Sequence, residues 1–393
     1  MRDTVIVGAT RTAVGKAPRG SLANVRPDDM AAAAVSSLME RSGLDPALVE
    51  DLILGCAFPE AEQGMNMARQ VVFLAGLQKE TTAMTINRYC SSGLEALHLA
   101  ALKVAAGTVD CAIAGGSESM SMIPMGGGQY RPNPRLVKDY VDSYLNMGLT
   151  AERVAEQNGV GREDQDAFAL QSHRRALAAQ EKGLFDAEIT PLRFDATRAT
   201  GKGGKLESRE IVFDLDEGPR ADTSAEGLAK LRTVFKQGGT VTAGNSSQMS
   251  DGAAALMVCT AEFAKEKGLR PLARLVSYAV AGNEPELMGL GPVYAVPKAL
   301  AKAGLKLADI DLIELNEAFA AQGIAVMRKL DMNPEITNVN GGAIAMGHPL
   351  GCTGAKLSTQ ILHEIGRRGG RYAMVTMCIG GGMGAAGIFE NLQ

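Results

Sequence analysis

Tryptophan is absent from this chain of 393 residues, histidine occurs only 4 times, and the 6 cysteines include no CxxC pair. That pattern argues against a zinc-cluster protein and against a small disulfide scaffold. A surplus of basic residues is also missing. Lys and Arg number 40 against 44 Asp and Glu, for a net charge of −4, so nucleic acid is not the expected partner. Hydrophobic residues at 46% and charged residues at 21% describe an ordinary globular chain, with length for two or three domains of about 150 residues each. What is abundant is glycine, at 46 residues.

Only Met1 to Thr4 precede the strand-like Val5-Ile6-Val7, so no signal or transit peptide is expected. The last residues, Asn391, Leu392 and Gln393, form no targeting address. One uncharged stretch, Tyr372 to Phe389, approaches the length of a membrane span, but five glycines follow Cys378 within it. It reads as strand, tight turn, strand, and no membrane span is expected. The expected location is cytoplasmic and reducing, with the cysteines as free thiols.

An internal repeat stands out. Leu44–Phe58 (LDPALVEDLILGCAF) resembles Leu305–Phe319 (LKLADIDLIELNEAF), 261 positions on. The same shift places Val35 on Val296, Gly43 on Gly304, Ser92-Gly93 on Thr353-Gly354, Ala112 on Ala373 and Ser117 on Cys378. A constant register over some 80 residues points to a duplicated domain. Within the first half we expect helices at Met30–Arg41 and Ser92–Ala106 and buried strands at Leu52–Leu54 and Cys111–Gly115. The second half repeats them as helices Val296–Lys302 and Thr353–Ile365 and strands Leu312–Leu315 and Ala373–Met377. Alternating strands and helices of this kind give an α/β layered architecture. The segment between the halves differs, with a Pro/Gly stretch at Pro124–Pro134 and a polar stretch at Arg193–Glu210. Because Ala151–Leu184 reads as helical and amphipathic, the segment is expected to be an inserted loop domain rather than a linker. The divisions are 1–118 plus 248–270 for the first half, 119–247 for the loop domain and 271–393 for the second half.

Scarcity of histidine and cysteine lets each be weighed alone. His98, His173 and His363 lie on helices beside charged residues and read as helix-surface or packing residues. His348 sits in the Gly/Pro loop Gly341–Gly351 at the entrance to a helix, where backbone can approach a ligand. Cys56, Cys111, Cys259 and Cys352 read as small buried hydrophobes. Cys90 precedes a helix, where free amides and the helix dipole favour a thiolate. Cys378 ends a strand and meets Gly380-Gly381-Gly382, whose N–H groups suit an oxyanion.

The blocks NRYCSSG (87–93), NEAFA (316–320), GGAIAMGHPLGCTG (341–354) and CIGGGMG (378–384) resemble the four signature blocks of the thiolases. The likeness runs end to end and includes AGGSESMS (114–121), MGLTAE (147–152) and TVTAGNSSQMSD (240–251). It implies a duplicated five-layered α/β/α/β/α fold with an inserted loop domain that binds CoA. It implies cleavage of a 3-ketoacyl-CoA by CoA, or the reverse Claisen condensation. By that resemblance Cys90 would be the nucleophile and Cys378 the acid/base, its ordinary pKa of about 8.5 lying near working pH. His348 would activate Cys90 and serve the thioester oxygen, Asn316 would hold a water of that oxyanion hole, and the N–H groups of Cys90 and Gly380 would form a second. Ser247 would contact pantetheine, Arg220 would lie near the nucleotide phosphates, and Met147 and Leu149 would line the acyl or pantetheine pocket. No metal or prosthetic group is implied; CoA and acyl-CoA are substrates. The family's members are homodimers or homotetramers, and some join a multienzyme β-oxidation complex.

Residues Glu60–Arg69 and Met125–Pro134 are similar to the β-oxidation type; the alternative is an acetoacetyl-CoA-specific acetyl-CoA acetyltransferase. Many members have glycine directly after the nucleophile, where this chain has Ser91, a departure expected to alter pocket shape. A carrier-protein condensing enzyme lacks the second cysteine of CIGGGMG. A non-catalytic CoA- or lipid-binding protein on the same fold would not need Cys90, Asn316, His348 and Cys378 together. A redox-sensing thiol protein would not call for Asn316 and His348.

Overall fold

In the computed structural model, which describes residues 1–200 and 205–393, the expected strands and helices form with longer bounds. Strands β1 (Thr4–Thr12), β2 (Asp51–Gly55), β3 (Thr82–Ile86), β4 (Cys111–Ser119) and β5 (Ser250–Thr260) build one half-sheet. Strands β6 (Ala273–Gly282), β7 (Leu312–Leu315), β8 (Tyr372–Ile379) and β9 (Met383–Asn391) build the other. The strand order is β7-β8-β9-β6-β1-β5-β4-β2-β3, joined at its centre by a single pairing of Ile6 with Ala273. Read outward from that seam, the two half-sheets run in the same order: β1-β5-β4-β2 and β6-β9-β8-β7.

The longer helices are α1 (Pro27–Ser42), α2 (Met67–Leu74), α3 (Ser92–Ala105), α4 (Met147–Gln157), α5 (Arg162–Glu181), α6 (Gly291–Ala303), α7 (Ala320–Leu330) and α8 (Leu350–Arg368). Strand alternation sorts side chains into layers. Leu52, Leu54, Cys111, Ile113 and Met257 face α1 and α2 on one outer side. Ile53, Ala112, Ala114, Leu256, Leu312, Ala373 and Val375 face inward onto α3 and α8. Ile313, Leu315, Met374 and Ile388 face α6 on the other outer side. The result is helix, sheet, helix pair, sheet, helix, five layers in all. The middle layer is dense. A Cβ on Gly93 would lie 2.5 Å from the Ala355 nitrogen, and one on Gly354 would lie 2.2 Å from the Leu94 nitrogen. These repeat-related glycines let α3 and α8 touch backbone to backbone, which carries their N-terminal ends to one place.

Two expectations for the middle of the chain need correction. Ala151–Leu184 is helical, as expected, but in two helices, α4 and α5, separated at Asn158–Gly161, and the amphipathic expectation does not hold for α5. Helix α5 lacks a clean apolar stripe, because it buries Gln165, Asp166, Ser172 and His173 beside its alanines. Those polar groups are bonded: Asp166 accepts from Asn245 at 2.9 Å, and Ser172 donates to Glu317 at 2.6 Å. His173 is buried rather than on a polar face, and its Nδ1 accepts the Arg220 N–H at 3.2 Å. The polar stretch Arg193–Glu210 carries an antiparallel pair, Leu192–Thr200 with Lys205–Phe213, and its centre, 201–204, lies outside the described residues. The Tyr372–Phe389 stretch is the hairpin β8–β9, as its glycines indicate. Among the described residues no helix is long and apolar enough to cross a membrane.

Candidate active site

The site forms where the entrances of α3 and α8 meet the carboxyl ends of β7 and β8. Cys90 lies in a tight turn, Tyr89–Ser91, that feeds α3. Tyr89 has φ of 44°, a left-handed conformation costly for an aromatic residue, held against the Phe58 ring at 6.1 Å. Cys90 is half-buried and packs with Ala57, Phe58, Met120 and Leu350. Burial pushes its thiol up to about 12, the N–H groups of Gly380 and of Cys90 itself pull it down, and the Glu118 carboxylate adds a further push upward. The amides at the helix entrance favour the thiolate as the sequence suggests, but desolvation outweighs them in the resting protein.

His348 occupies the loop before α8. Gly347 precedes it with φ of 93°, and a Cβ there would stand 2.2 Å from the Ser250 hydroxyl, so the turn needs glycine. The His348 N–H is 3.1 Å from both the Ser250 Oγ and the Gln248 carbonyl oxygen. Its ring is buried, with Nδ1 2.6 Å from Thr353 Oγ1 and Nε2 3.3 Å from Asn316 Nδ2. Burial pushes the imidazole down to about 3, with the Lys356 charge adding to the effect, so it is neutral at working pH. Asn316 follows β7 and donates its N–H to the Thr376 carbonyl at 3.0 Å. Its buried Oδ1 has no protein partner, which leaves an acceptor for a donor from outside the chain.

Cys378, at the end of β8, is buried among Ala151, Val241, Met288, Ala318 and Phe319. Burial raises its thiol well above the ordinary range, and charge on Cys90 raises it further. The expectation of a thiol near its ordinary pKa is thus also corrected. Two cysteines 288 positions apart in sequence stand close enough to influence each other's charge. The hairpin that follows Cys378 aims the Gly380 N–H at the Cys90 thiol.

The residues expected to hold CoA divide. Met147 packs with the Cys378 cluster, its sulfur 3.5 Å from where a Gly380 Cβ would sit. Ser247 donates its N–H to the Ala318 carbonyl at 3.0 Å, which sets it between the Asn316 and His348 loops. Leu149 is half-buried on the same first turn of α4 as Met147. Arg220 stands apart from this wall, exposed and paired with Asp222 at 3.3 Å.

Sequence reasoning missed several residues that shape the site. Phe235 lies over Gly148 and meets Phe319 edge-on at 6.1 Å, and with Met288 it extends the apolar wall. Glu118 braces the loops, its buried carboxylate accepting from the N–H groups of Ala57 (2.7 Å) and Gly351 (2.8 Å) and from Gln63 Nε2 (2.7 Å). Glu317 accepts from Ser172, from Asn338 at 2.9 Å and from the Ile344 N–H at 3.2 Å. A carboxylate within a fully buried strand was the available signal for Glu118. Among the described residues no group of three or more His, Cys, Asp or Glu could hold a metal ion.

A pair of buried thiols beside a neutral imidazole, an amide and a backbone N–H can do nucleophilic and acid/base chemistry on a carbonyl. Comparison with known proteins agrees with that chemistry. Residues 4–262 match the family described as thiolase, N-terminal domain, and residues 269–391 match thiolase, C-terminal domain. A 3-ketoacyl-CoA thiolase of Bacillus subtilis (strain 168) is 54% identical over 390 residues, covering 99% of this chain and 100% of that protein. The crystal structure of human mitochondrial 3-ketoacyl-CoA thiolase superposes with a TM-score of 0.90 at 37% identity, covering 100% of this chain and 99% of that one. That of the Bacillus anthracis acetyl-CoA acetyltransferase does so with a TM-score of 0.89 at 40% identity, with the same coverage. With both halves of the chain matched, the chain belongs to the thiolase family.

Proposed function

We propose that this protein is a 3-ketoacyl-CoA thiolase of fatty-acid β-oxidation that works through an acyl group on Cys90. The observation that carries the reading is the convergence of Cys90, Cys378 and the Asn316–His348 pair on one hairpin. The Cys90 sulfur attacks the 3-keto carbon while its proton passes to His348 Nε2. The high thiol and low imidazole values favour transfer during attack over a stored ion pair. The N–H groups of Cys90 and Gly380 stabilise the tetrahedral oxyanion. The C2–C3 bond then breaks, its electron pair goes to C2, and the enolate oxygen is held by His348 Nε2–H and a water on Asn316. Cys378 gives its proton to C2, which releases acetyl-CoA. The Cys378 thiolate next takes the proton of incoming CoA, whose sulfur attacks the acyl-Cys90 thioester, and the departing Cys90 sulfur recovers its proton from His348. Loss of one oxyanion donor typically costs about 10²–10³ in rate.

In this reading CoA lies across the loop domain, 119–247, with pantetheine passing Ser247, Met147 and Leu149, and Arg220 meets the nucleotide phosphates after leaving Asp222. The reaction needs no metal or prosthetic group. The assembly is a homodimer or homotetramer in the cytoplasm. Incubation with a 3-ketoacyl-CoA and no free CoA should leave an acyl adduct on Cys90 by peptide mass mapping; a label on any other cysteine refutes the assignment. Thiolysis across C4 to C16 substrates should show turnover beyond C4. Activity confined to acetoacetyl-CoA would instead make the protein an acetyl-CoA acetyltransferase.

A further inference from the structure

His348 can accept the Cys90 proton only if Nε2 is bare when substrate arrives, so something must hold the ring's proton on Nδ1. We propose that Thr353 is the positioning residue that does this, accepting the Nδ1–H of His348 and thereby keeping Nε2 as the proton acceptor. The proposal rests on the acyl-Cys90 reading for its consequence and on geometry for its content. Thr353 Oγ1 lies 2.6 Å from His348 Nδ1 and 2.9 Å from the carbonyl oxygen of Pro349, one helical turn back. A carbonyl can only accept, so the hydroxyl proton is directed to Pro349 and a lone pair faces Nδ1. Asn316 Nδ2–H then points at a bare Nε2 at 3.3 Å, and every bond in the line runs in one direction.

The duplicated fold supplies an independent check on where that hydroxyl proton goes. Ser92 is the residue matched to Thr353; it opens α3, and Thr353 stands in the first turn of α8, which begins at Leu350. Ser92 Oγ donates to the Tyr89 carbonyl oxygen at 2.7 Å and accepts the Arg88 N–H at 2.8 Å. No imidazole competes there, and the hydroxyl again donates to a backbone carbonyl of the preceding turn, three residues back where Thr353 reaches four. The hydroxyl in this turn is committed to the backbone in both halves. In the second half its free lone pair has been taken up by the histidine. Both groups are shut off from solvent, Thr353 at 0% and His348 at 4% exposure, so water does not offer Nδ1 an alternative acceptor.

The test reads the tautomer and the kinetics separately. In protein labelled with 15N only at histidine, solid-state NMR has four imidazoles to resolve. The expected wild-type signature for His348, assigned by its loss in His348→Asn, is a protonated Nδ1 and a bare Nε2. Thr353→Val keeps the shape and removes the hydroxyl. It should lower kcat about tenfold to a hundredfold, leave KM within about twofold, and shift the His348 signal toward the other tautomer. Thr353→Ser should restore both. A bare Nδ1 in the wild type overturns the proposal, as does a natively melting Thr353→Val with wild-type kcat, or a natively melting Thr353→Ser as slow as Thr353→Val. If Thr353→Val does not fold, the wild-type tautomer and the serine variant decide. A wild type that cleaves no 3-ketoacyl-CoA would remove the functional reading while leaving the tautomer result standing.

Discussion

Strand β4 of the first half ends near Ser117, whose hydroxyl donates to the Pro27 carbonyl at 2.8 Å; the matched residue of β8 in the second half is Cys378, facing the site. The same contrast recurs at each matched position. Asn87, half of a turn that bonds Ala57 and Tyr89, corresponds to His348. Gly55 corresponds to Asn316, and Gly351, bonded through its N–H to Glu118, corresponds to Cys90. On the proposed mechanism the first half gives one nucleophile and the second gives the groups that move its protons. A duplicated fold sets two helix entrances against one another, and divergence at a few turns makes the resulting cleft chemically one-sided.

The comparison can be broken most directly by exchanging its members. Cys90→Ala, Cys378→Ala and His348→Ala should each cut turnover by about 10³ or more with native melting, whereas Ser117→Ala should stay within a few-fold in the same steady-state assay. Near-normal rates in the first set would remove the asymmetry. Asn316→Ala should cost about 10² in kcat.

A stability effect tests the symmetric part. Gly354→Ala forces a methyl against the Leu94 backbone and should destabilise by about 3 kcal/mol. Gly93→Ala should do likewise, and chemical denaturation would show whether the two are equal. Glu118→Ala strands several buried donors and should cost roughly 3 kcal/mol by the same measurement.

The smallest effect concerns pH. His348 is pushed down to about 3 in the folded chain against an ordinary 6.5, so the unfolded chain binds the extra proton between those values. The histidine's stabilising contribution is complete above pH 6.5 and is lost as pH falls toward 3. His348→Asn, which copies the first half, should flatten the stability slope over that window by up to one proton, about 1.4 kcal/mol per pH unit. The kcat/KM profile of the wild type should show no step near 6.5 from this residue.

The repeat, the order of strands and helices and the three candidate residues of the site were legible because each leaves a local mark. Buried strands are apolar runs, and Cys90, His348 and Cys378 stand in glycine-rich turns that few other histidines or cysteines share. The polar burial of α5 was not legible, because Asp166, Ser172 and His173 are satisfied by partners far along the chain. Nor were Phe235 and Met288, which look like ordinary apolar residues until the loop domain folds over Cys378.

Composition and register alone determined that the chain is duplicated and α/β, and which cysteines and histidine merit attention. Only the tertiary structure decided their protonation. A helix entrance favours a thiolate, and that much is local. Whether the thiol ionises depends on how much protein covers it, and here burial around Cys90, Cys378 and His348 favours the neutral form of all three. Desolvation is a property of the packed whole, so no stretch of sequence can carry it.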